Sequence, residues 1–506
     1  MSVVRQRIFR NAYRDSVELM RIAAEIEQLP GITRAGLVMA TPANLAIVVE
    51  AGLAEGLEPG VGPNDMLVAL AAIDGAAADA GLERAAALMR SAEAEPAADG
   101  RRFVPTTIAE AVAELPEANL VLISTPGPYA TAEALKALKR GMHVFLFSDN
   151  VPIEDEVELK QIGLRKGLMV MGPDCGTAIL DGIPLGFANA VRRGRVGLVG
   201  ASGTGLQQVT CLLDAFGAGV SQAIGVGGRD LHDEVGGIMM LAGLERLVAD
   251  PGSDVVVLIS KPPAPAVADR VLTAAAASSK PVVINFLGGD AESIRAAGAH
   301  PATTFEEAAQ VAADLSLGGM PAPLGAEDLD ADAVVAAAGL AAGQGRIVGL
   351  YSGGSLAGEA KVVLRGLLGA EAAAQRIIDL GDDEYTVGRP HPMIDPRLRS
   401  EKIEEAGADP NTAVILLDIV LGYASHPDPA GALVPALTAA RDAAASAGRG
   451  LAIVASVCGT AGDPQGLPGQ RAALTAIGAR VAASNARAAR LAGLIAMHAA
   501  ARQVPA

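Results

Sequence analysis

The 506-residue sequence predicts an α/β protein: a small N-terminal α+β domain, a Rossmann-like domain, and two flavodoxin-like domains, each built on a doubly wound parallel sheet. Three observations carry that prediction. Over 102–186 apolar runs alternate with amphipathic helical stretches, the pattern of parallel strands joined by crossover helices. VGLVGASGTGLQQ at 196–208 and IVGLYSGGSLAGE at 347–359 then spell the same strand–turn–helix device, about 150 residues apart. Each copy is followed by four more strand cues in the same order, so the two blocks are repeats of one another.

In chain order, residues 1–97 combine strand cues (ITRAGLVMA, NDMLVALAAID) with helical ones such as DSVELMRIAAEIEQL. That helix opens on the cap pair Asp15-Ser16 with Glu18 in its first turn, and the block reads as a split β-α-β sandwich. The polar stretch 91–101 is a linker. Residues 98–186 supply NLVLIS, TAEALKALKRG, HVFLFS, IEDEVELKQIGLRKG and LMVMG, and 187–318 form the first repeat. Low-complexity residues 319–344 read as a second linker, and 345–506 form the second repeat.

Composition excludes several classes. A net charge of −17 and a pI near 4.9 argue against nucleic acid or an anionic membrane as partner. Cys175, Cys211 and Cys458 form no CxxC pair, which suits a reduced, cytoplasmic protein. The first residues carry no apolar signal segment, so secretion is not expected. The mean hydropathy of +0.35 comes from alanine, and Gly, Pro or charge interrupts every apolar run before it could span a bilayer.

The repeated turn has a physical use. A glycine turn between strand and helix leaves the first helical amides unpaired, their dipole favours an anion, and turn hydroxyls add donors. Ser202, Gly203, Thr204 and Gly205 have this make-up, and so do Ser352, Gly353, Gly354 and Ser355. Each turn taken alone is equally an ordinary capped loop; recurrence at the carboxyl edge of two sheets argues for two opposed anion sockets. Such a pair suits small anionic substrates.

MGPDCGTAI at 171–179, GRVGLVGASGTG and AIGVGGRD resemble the α-subunit of succinyl-CoA synthetase and other NDP-forming acyl-CoA synthetases, and the second repeat resembles the ligase domain of the β-subunit. Nearly the whole chain resembles the FdrA family through MATPAN (39–44), LISTPGPYA (122–130), FSDNVPIEDE (147–156), GVGGRDL, SKPP (260–263) and IIDLGDDEYTVGRPHPMIDP (377–396). The resemblance implies that 98–186 is a CoA-binding-type domain and that both repeats are ligase-type domains. It also implies that the two turns are the helix ends that hold a phosphohistidine in the ligases.

The departures from that pattern are chemical. No GHAG-type histidine loop follows VVINFLGG, and His300 falls where a helix should hand over to the last strand. No block is left for an ATP-grasp domain, and residues 1–105 lack a Gly-rich CoA loop. The FdrA resemblance implies instead a subunit of oxamate carbamoyltransferase in allantoin breakdown, acting with two further subunits. That enzyme converts oxalurate and phosphate into oxamate and carbamoyl phosphate, with phosphate as substrate, no certain cofactor, and CoA unexpected without a partner.

Among side chains, Arg229 and Arg389 stand at matching strand ends and are clamp candidates, with a surface ion pair such as Arg229–Asp233 as the alternative. His391 is a candidate general acid or donor to a leaving nitrogen, or else a structural histidine. Lys261 is a candidate anion partner or a solvated lysine. Asp379, Asp382 and Asp383 lack a second cluster, so no metal is expected, and Cys175 has no neighbouring base. Three readings remain open: a carbamoyltransferase subunit, an acyl-CoA ligase subunit that borrows its ATP-grasp chain, and a non-catalytic anion-sensing scaffold.

Overall fold

The computed structural model describes residues 3–12, 14, 16–41, 44–45, 48–49, 52–53, 60–93, 105–325, 327–341, 343–386 and 390–501. The chain divides into two compact units, 1–104 with 387–390, and 105–386 with 391–506.

In the first unit, β1 (Val3–Phe9), α1 (Ser16–Glu27), β2 (Ile32–Met39), β3 (Met66–Ala72) and α2 (Gly75–Glu93) form a three-stranded sheet ordered β1-β3-β2. Both outer strands run antiparallel to β3, so β1 and β2 are parallel with a strand between them: the split β-α-β unit. Helix α1 buries Leu19, Ile22, Ala23 and Ile26, a stripe at helical spacing, against Leu37, Val68 and Leu70 of the sheet. The cap residue Asp15 lies outside the described residues.

The second unit begins with α3 (Ile108–Glu114), whose Thr107 and Glu110 form a reciprocal capping box. Strands β4 (Leu120–Ile123), β5 (His143–Leu146) and β6 (Val170–Met171) follow in a parallel three-stranded sheet, crossed by α4 (Gly127–Lys139) and α5 (Ile153–Lys166). The hairpin β7 (Thr177–Leu180) and β8 (Ile183–Gly186) does not join that sheet. It adds to the edge of the next one, with β7 antiparallel to β10, so the block boundary falls before 177 rather than at 186.

The first repeat contains β9 (Arg193–Ala201), α6 (Gly203–Ala215), β10 (Val220–Gly225), α7 (Ile238–Ala249), β11 (Val255–Ser260), α8 (Pro265–Ala276), β12 (Val282–Phe286), α9 (Ala291–Ala296), β13 (His300–Pro301) and α10 (Phe305–Leu317). The second contains β14 (Arg346–Tyr351), α12 (Gly354–Leu368), β15 (Arg376–Asp379), α13 (Asp383–Thr386), α14 (Arg397–Ala408), β16 (Thr412–Val420), α15 (Pro429–Ser446), β17 (Ala452–Cys458), α16 (Leu467–Ala476), β18 (Arg480–Ala482) and α17 (Asn485–Ala501), preceded by α11 (Leu329–Ala338). Strand orders β13-β12-β11-β9-β10 and β15-β14-β16-β17-β18 are the same doubly wound topology, 2-1-3-4-5. Strands β11, β12, β16 and β17 are buried along their whole length because helices cover both sheet faces.

Part of the expected linker 319–344 is structured. Asp328 caps α11, which packs on α17 and buries Ala333 and Ala337 in a core shared by both repeats. The alanine richness that reads as low complexity is here a close-packed helical face.

Candidate functional site

The two repeated turns come together within the second unit. Ser202 caps α6, its Oγ accepting from the Gly205 amide at 3.1 Å, and the same hydroxyl donates to Ser355 Oγ at 2.6 Å. A β-carbon at Gly353 would stand 2.8 Å from the Thr204 side chain, so only glycine admits this approach of the two helix ends. The carboxyl edges of two repeats therefore meet at their first helices.

Their electrostatics differ. The buried Asp418 carboxylate accepts from Ser352 N (2.9 Å), Ser352 Oγ (3.1 Å) and Gly353 N (2.8 Å), which places a charge of the chain itself beside the start of α12. Arg399 of α14, equally buried, donates to the Asp418 carboxylate at 2.7 Å, to its carbonyl, and to Leu350 O at 3.0 Å. Burial pushes the Arg399 guanidinium down, while Asp418 opposes that shift. Asp418 thus satisfies the amides of the two residues that precede α12, while Gly354 and Ser355, its first two helical residues, have no intrahelical acceptor for their amides, as in α6. Val199 and Leu350, each four residues before its helix, pair with Leu258 and Leu417, so Ile259 occupies the register position of Asp418 and the α6 end receives no such carboxylate.

The α6 end faces a recess of about 170 Å³, counted to its open mouth. Ser202, Gly203, Thr177, Asp174 and Cys175 line it, with glycines 176, 200, 225, 227 and 228. Gly203 and Thr204 are the first two helical residues, so helix geometry gives their amides no intrahelical acceptor. The PDCGT turn lies against the GVGG loop so closely that a β-carbon on Gly227 would fall 2.3 Å from Pro173 O.

A second cluster borders the α12 end. A β-carbon at Gly381 would lie 2.7 Å from His391 Nε2, 3.0 Å from Ser352 O and 3.2 Å from Asp379 Oδ1, and one at Gly354 would meet Asp379 Oδ2 at 2.2 Å. His391 Nδ1 accepts from Met393 N at 3.2 Å, which leaves Nε2 as the protonated nitrogen; its ring stands 5.7 Å from that of Phe187. Burial drives its pKa down to about 4, so the imidazole is neutral at pH 7. Burial raises the Asp379 carboxyl, an effect offset by the Gly381 amide and by the positive charge of exposed Lys261.

Arg229 does not reach either helix end. Its guanidinium donates to Val151 O and pairs with buried Glu156, each at 2.8 Å, not with Asp233. Glu156 and Asp230 also hold fully buried Lys160, each at 2.7 Å, and Asp230 caps α7 through Met239 N and Met240 N. This network ties α5 to the GVGGRD loop. Sequence reasoning missed it, although a lysine on the helix face whose i−4 neighbour is glutamate was a legible signal. Arg389 lies outside the described residues. Cys175 is buried, with its thiol pushed up to about 12, and is no nucleophile. Cys211 and Cys458, far apart in sequence, are hydrogen-bonded neighbours, and their contact together with burial raises the Cys211 thiol further. Among the described residues no group of three or more His, Cys, Asp or Glu could hold a metal ion, and no helix is long and apolar enough to cross a membrane.

Comparison with known proteins places family models on three stretches: a CoA-ligase model on 350–495, a CoA-binding-domain model on 191–288, and a model described as AllF, heavy metal-associated domain, on 1–103. The CoA-binding match falls on the first repeat, not on the 98–186 block. The uncharacterized protein YahF of Escherichia coli K12 is 39% identical over 493 residues, 94% of this chain and 95% of that protein. The alpha subunit of the ADP-forming succinate–CoA ligase of Methanothermobacter thermautotrophicus is 31% identical over 172 residues, 33% of this chain and 57% of that subunit. Among solved structures, ATP citrate lyase from Methanothrix soehngenii in complex with citrate and coenzyme A aligns at 19% identity, covering 42% of this chain and 41% of that one, with a TM-score of 0.37.

Proposed function

Starting from the fact that this chain belongs to the FdrA-like family of succinyl-CoA synthetase-like proteins, we propose that it is a subunit of an oxamate carbamoyltransferase. The observation that supports this reading is that the α6 end opens onto a recess, while the buried Asp418–Arg399 pair sits beside the start of α12. One end binds phosphate; the neighbouring cluster handles the leaving group.

In the proposed step a phosphate oxygen attacks the carbamoyl carbon of oxalurate. The bond from that carbon to the oxamate nitrogen breaks, and the nitrogen takes a proton. The proton comes from the attacking hydrogen phosphate, while His391 Nε2–H hydrogen-bonds to the leaving nitrogen and keeps its own proton, so protons balance without a cofactor. A neutral imidazole suits a donor whose proton is shared, not permanently lost. Lys261 holds the oxamate carboxylate. Holding both reactants at bonding distance supplies much of the acceleration.

Two further observations support a reaction without phosphohistidine. Three residues after β12 comes Asp290, whose carboxylate caps α9 through Glu292 N and Ser293 N, and His300 lies in β13, exposed. The AllF-domain match on 1–103 agrees with the same family role. All three cysteines lie outside 1–103, so no thiol pair is available there for a soft metal.

The test is purification of the chain with its endogenous partner subunits, followed by incubation with oxalurate and phosphate. Carbamoyl phosphate and oxamate form without nucleotide if the reading holds; no product with any partner mixture refutes it. A second reading, an acid–CoA ligase subunit served by a separate ATP-grasp chain, is favoured by the CoA-ligase match and the succinate–CoA ligase relative. It is recognised by ADP release that requires both CoA and a carboxylic acid.

A further inference from the structure

We propose that Asp379 selects a carbamoyl amide: its free carboxylate oxygen accepts an N–H from the terminal NH2 of the substrate, beside His391. The inference rests on the carbamoyl-transfer reading for its substrate and deepens it by naming the group that is recognised.

Asp379 is the last residue of β15, paired with Tyr351 at the carboxyl edge of the second repeat. The chain turns there: Leu380 N donates to Tyr351 O, and the Gly381 amide donates to Asp379 Oδ1 at 2.9 Å. That bond fixes the carboxylate and leaves Oδ2, which no donor among the described residues reaches. Two glycines make room for the group. A β-carbon on Gly354 would stand 2.2 Å from Oδ2, and one on Gly381 would stand 3.2 Å from Oδ1 and 2.7 Å from His391 Nε2. Carboxylate and imidazole therefore border the same glycine.

His391 is fixed in the complementary sense. Its Nδ1 accepts from Met393 N, so Nε2 carries the proton, and no group among the described residues accepts it. Both side chains belong to partly exposed residues. A free acceptor and a free donor thus stand near one another where a ligand can reach them.

That pairing decides the ligand class. A carboxylate offers acceptors only and an ammonium donors only, so each satisfies one of the two groups and opposes the other. A ureide or primary amide offers both. In oxalurate the carbamoyl NH2 gives Asp379 Oδ2 its N–H, a hydrogen bond strengthened by the charge on the acceptor, while His391 Nε2–H stays with the leaving nitrogen. The carboxylate end of the substrate belongs to exposed Lys261, whose positive charge is felt at Asp379 and favours its ionised form. An acid presented here for activation, as a CoA ligase requires, would meet the Asp379 charge.

The experiment is titration calorimetry of the full chain with N-carbamoylglycine and with N-acetylglycine at pH 7. The two ligands share their shape and their carboxylate and differ in one group, NH2 against CH3. N-carbamoylglycine is expected to bind at least tenfold tighter, the worth of one hydrogen bond to a charged acceptor. Asp379→Asn keeps an oxygen for the Gly381 amide but turns an NH2 toward the ligand, which brings the two ligands close to equal affinity. Equal affinities in the native chain, which needs no variant to fold, overturn the inference, as do binding of neither ligand and a preference that survives Asp379→Asn. In the complex with its partner subunits the same variant raises the KM for oxalurate roughly tenfold and leaves that for phosphate unchanged. Cleavage of oxalurate by the native complex, with no preference between the two ligands, removes the Asp379 assignment and leaves the reaction standing. A preference that Asp379→Asn abolishes, in a chain whose native complex cleaves no oxalurate, does the reverse.

Discussion

Replacing Asp418 by Asn keeps the side chain's shape but removes its charge and turns one acceptor into a donor. Arg399 is then a buried cation without a counter-ion, and of the Ser352 and Gly353 amides, held at 2.9 and 2.8 Å in the native chain, one faces an N–H instead of an oxygen. Because no volume is lost, no cavity contributes, and the cost is that of breaking a buried pair, about 3–5 kcal/mol. Against a typical stability of about 5–15 kcal/mol this is a large share. With m of about 2–3 kcal/mol per M, the urea midpoint falls by roughly 1–2.5 M at unchanged slope. Converting both partners to leucine removes the stranded cation along with the carboxylate. That double variant recovers at least half of the loss, the remainder reflecting the two helix-end amides left without an acceptor. A midpoint change in Asp418→Asn equivalent to less than about 1 kcal/mol, or a double variant no more stable than the single one, refutes the account of Asp418 and Arg399 as a buried pair that holds the start of α12.

Two buried groups should oppose one another in the pH dependence of stability. Burial raises the Glu359 carboxyl from 4.5 to about 7, so its contribution is lost as pH climbs through that window, on the order of 3 kcal/mol at 1.36 kcal/mol per unit. His391, lowered from 6.5 to about 4, has the opposite sign: it destabilises the fold as pH falls through 6.5 to 4. Urea titrations from pH 4.5 to 6.5 should show a nearly flat sum of the two, a rising slope in Glu359→Gln and a falling slope in His391→Asn; identical slopes in both variants contradict the assignments. Lys160→Met should destabilise by about 3–5 kcal/mol, since it leaves buried Asp230 without a cation and Glu156 with Arg229 alone, and an unchanged melting curve counts against the network. A thiol reagent at pH 8 should find no rapidly reacting cysteine in the native chain and three after unfolding, because all three are buried. One fast thiol disproves that packing.

Strand and helix periodicity, glycine punctuation and the order of cues were local properties, and the sequence by itself determined the two doubly wound repeats and the approach of their first helices to a common edge. Turn chemistry also exposed Ser202 as a cap. The boundary at 177 and helix α11 were less legible: a four-residue hairpin strand carries too little pattern to name its sheet, and an alanine face has almost no hydrophobic contrast. Asp418 was visible as one acid inside an apolar strand, yet nothing local says that it reaches Ser352, 66 positions away, or that Arg399 follows it into the core. Only the tertiary structure decided that the buried Asp418–Arg399 pair sits beside the start of α12, whereas the α6 end opens onto a recess. The reason is that an amide's partner depends on strand register and helix packing, which bring together groups that the sequence keeps apart.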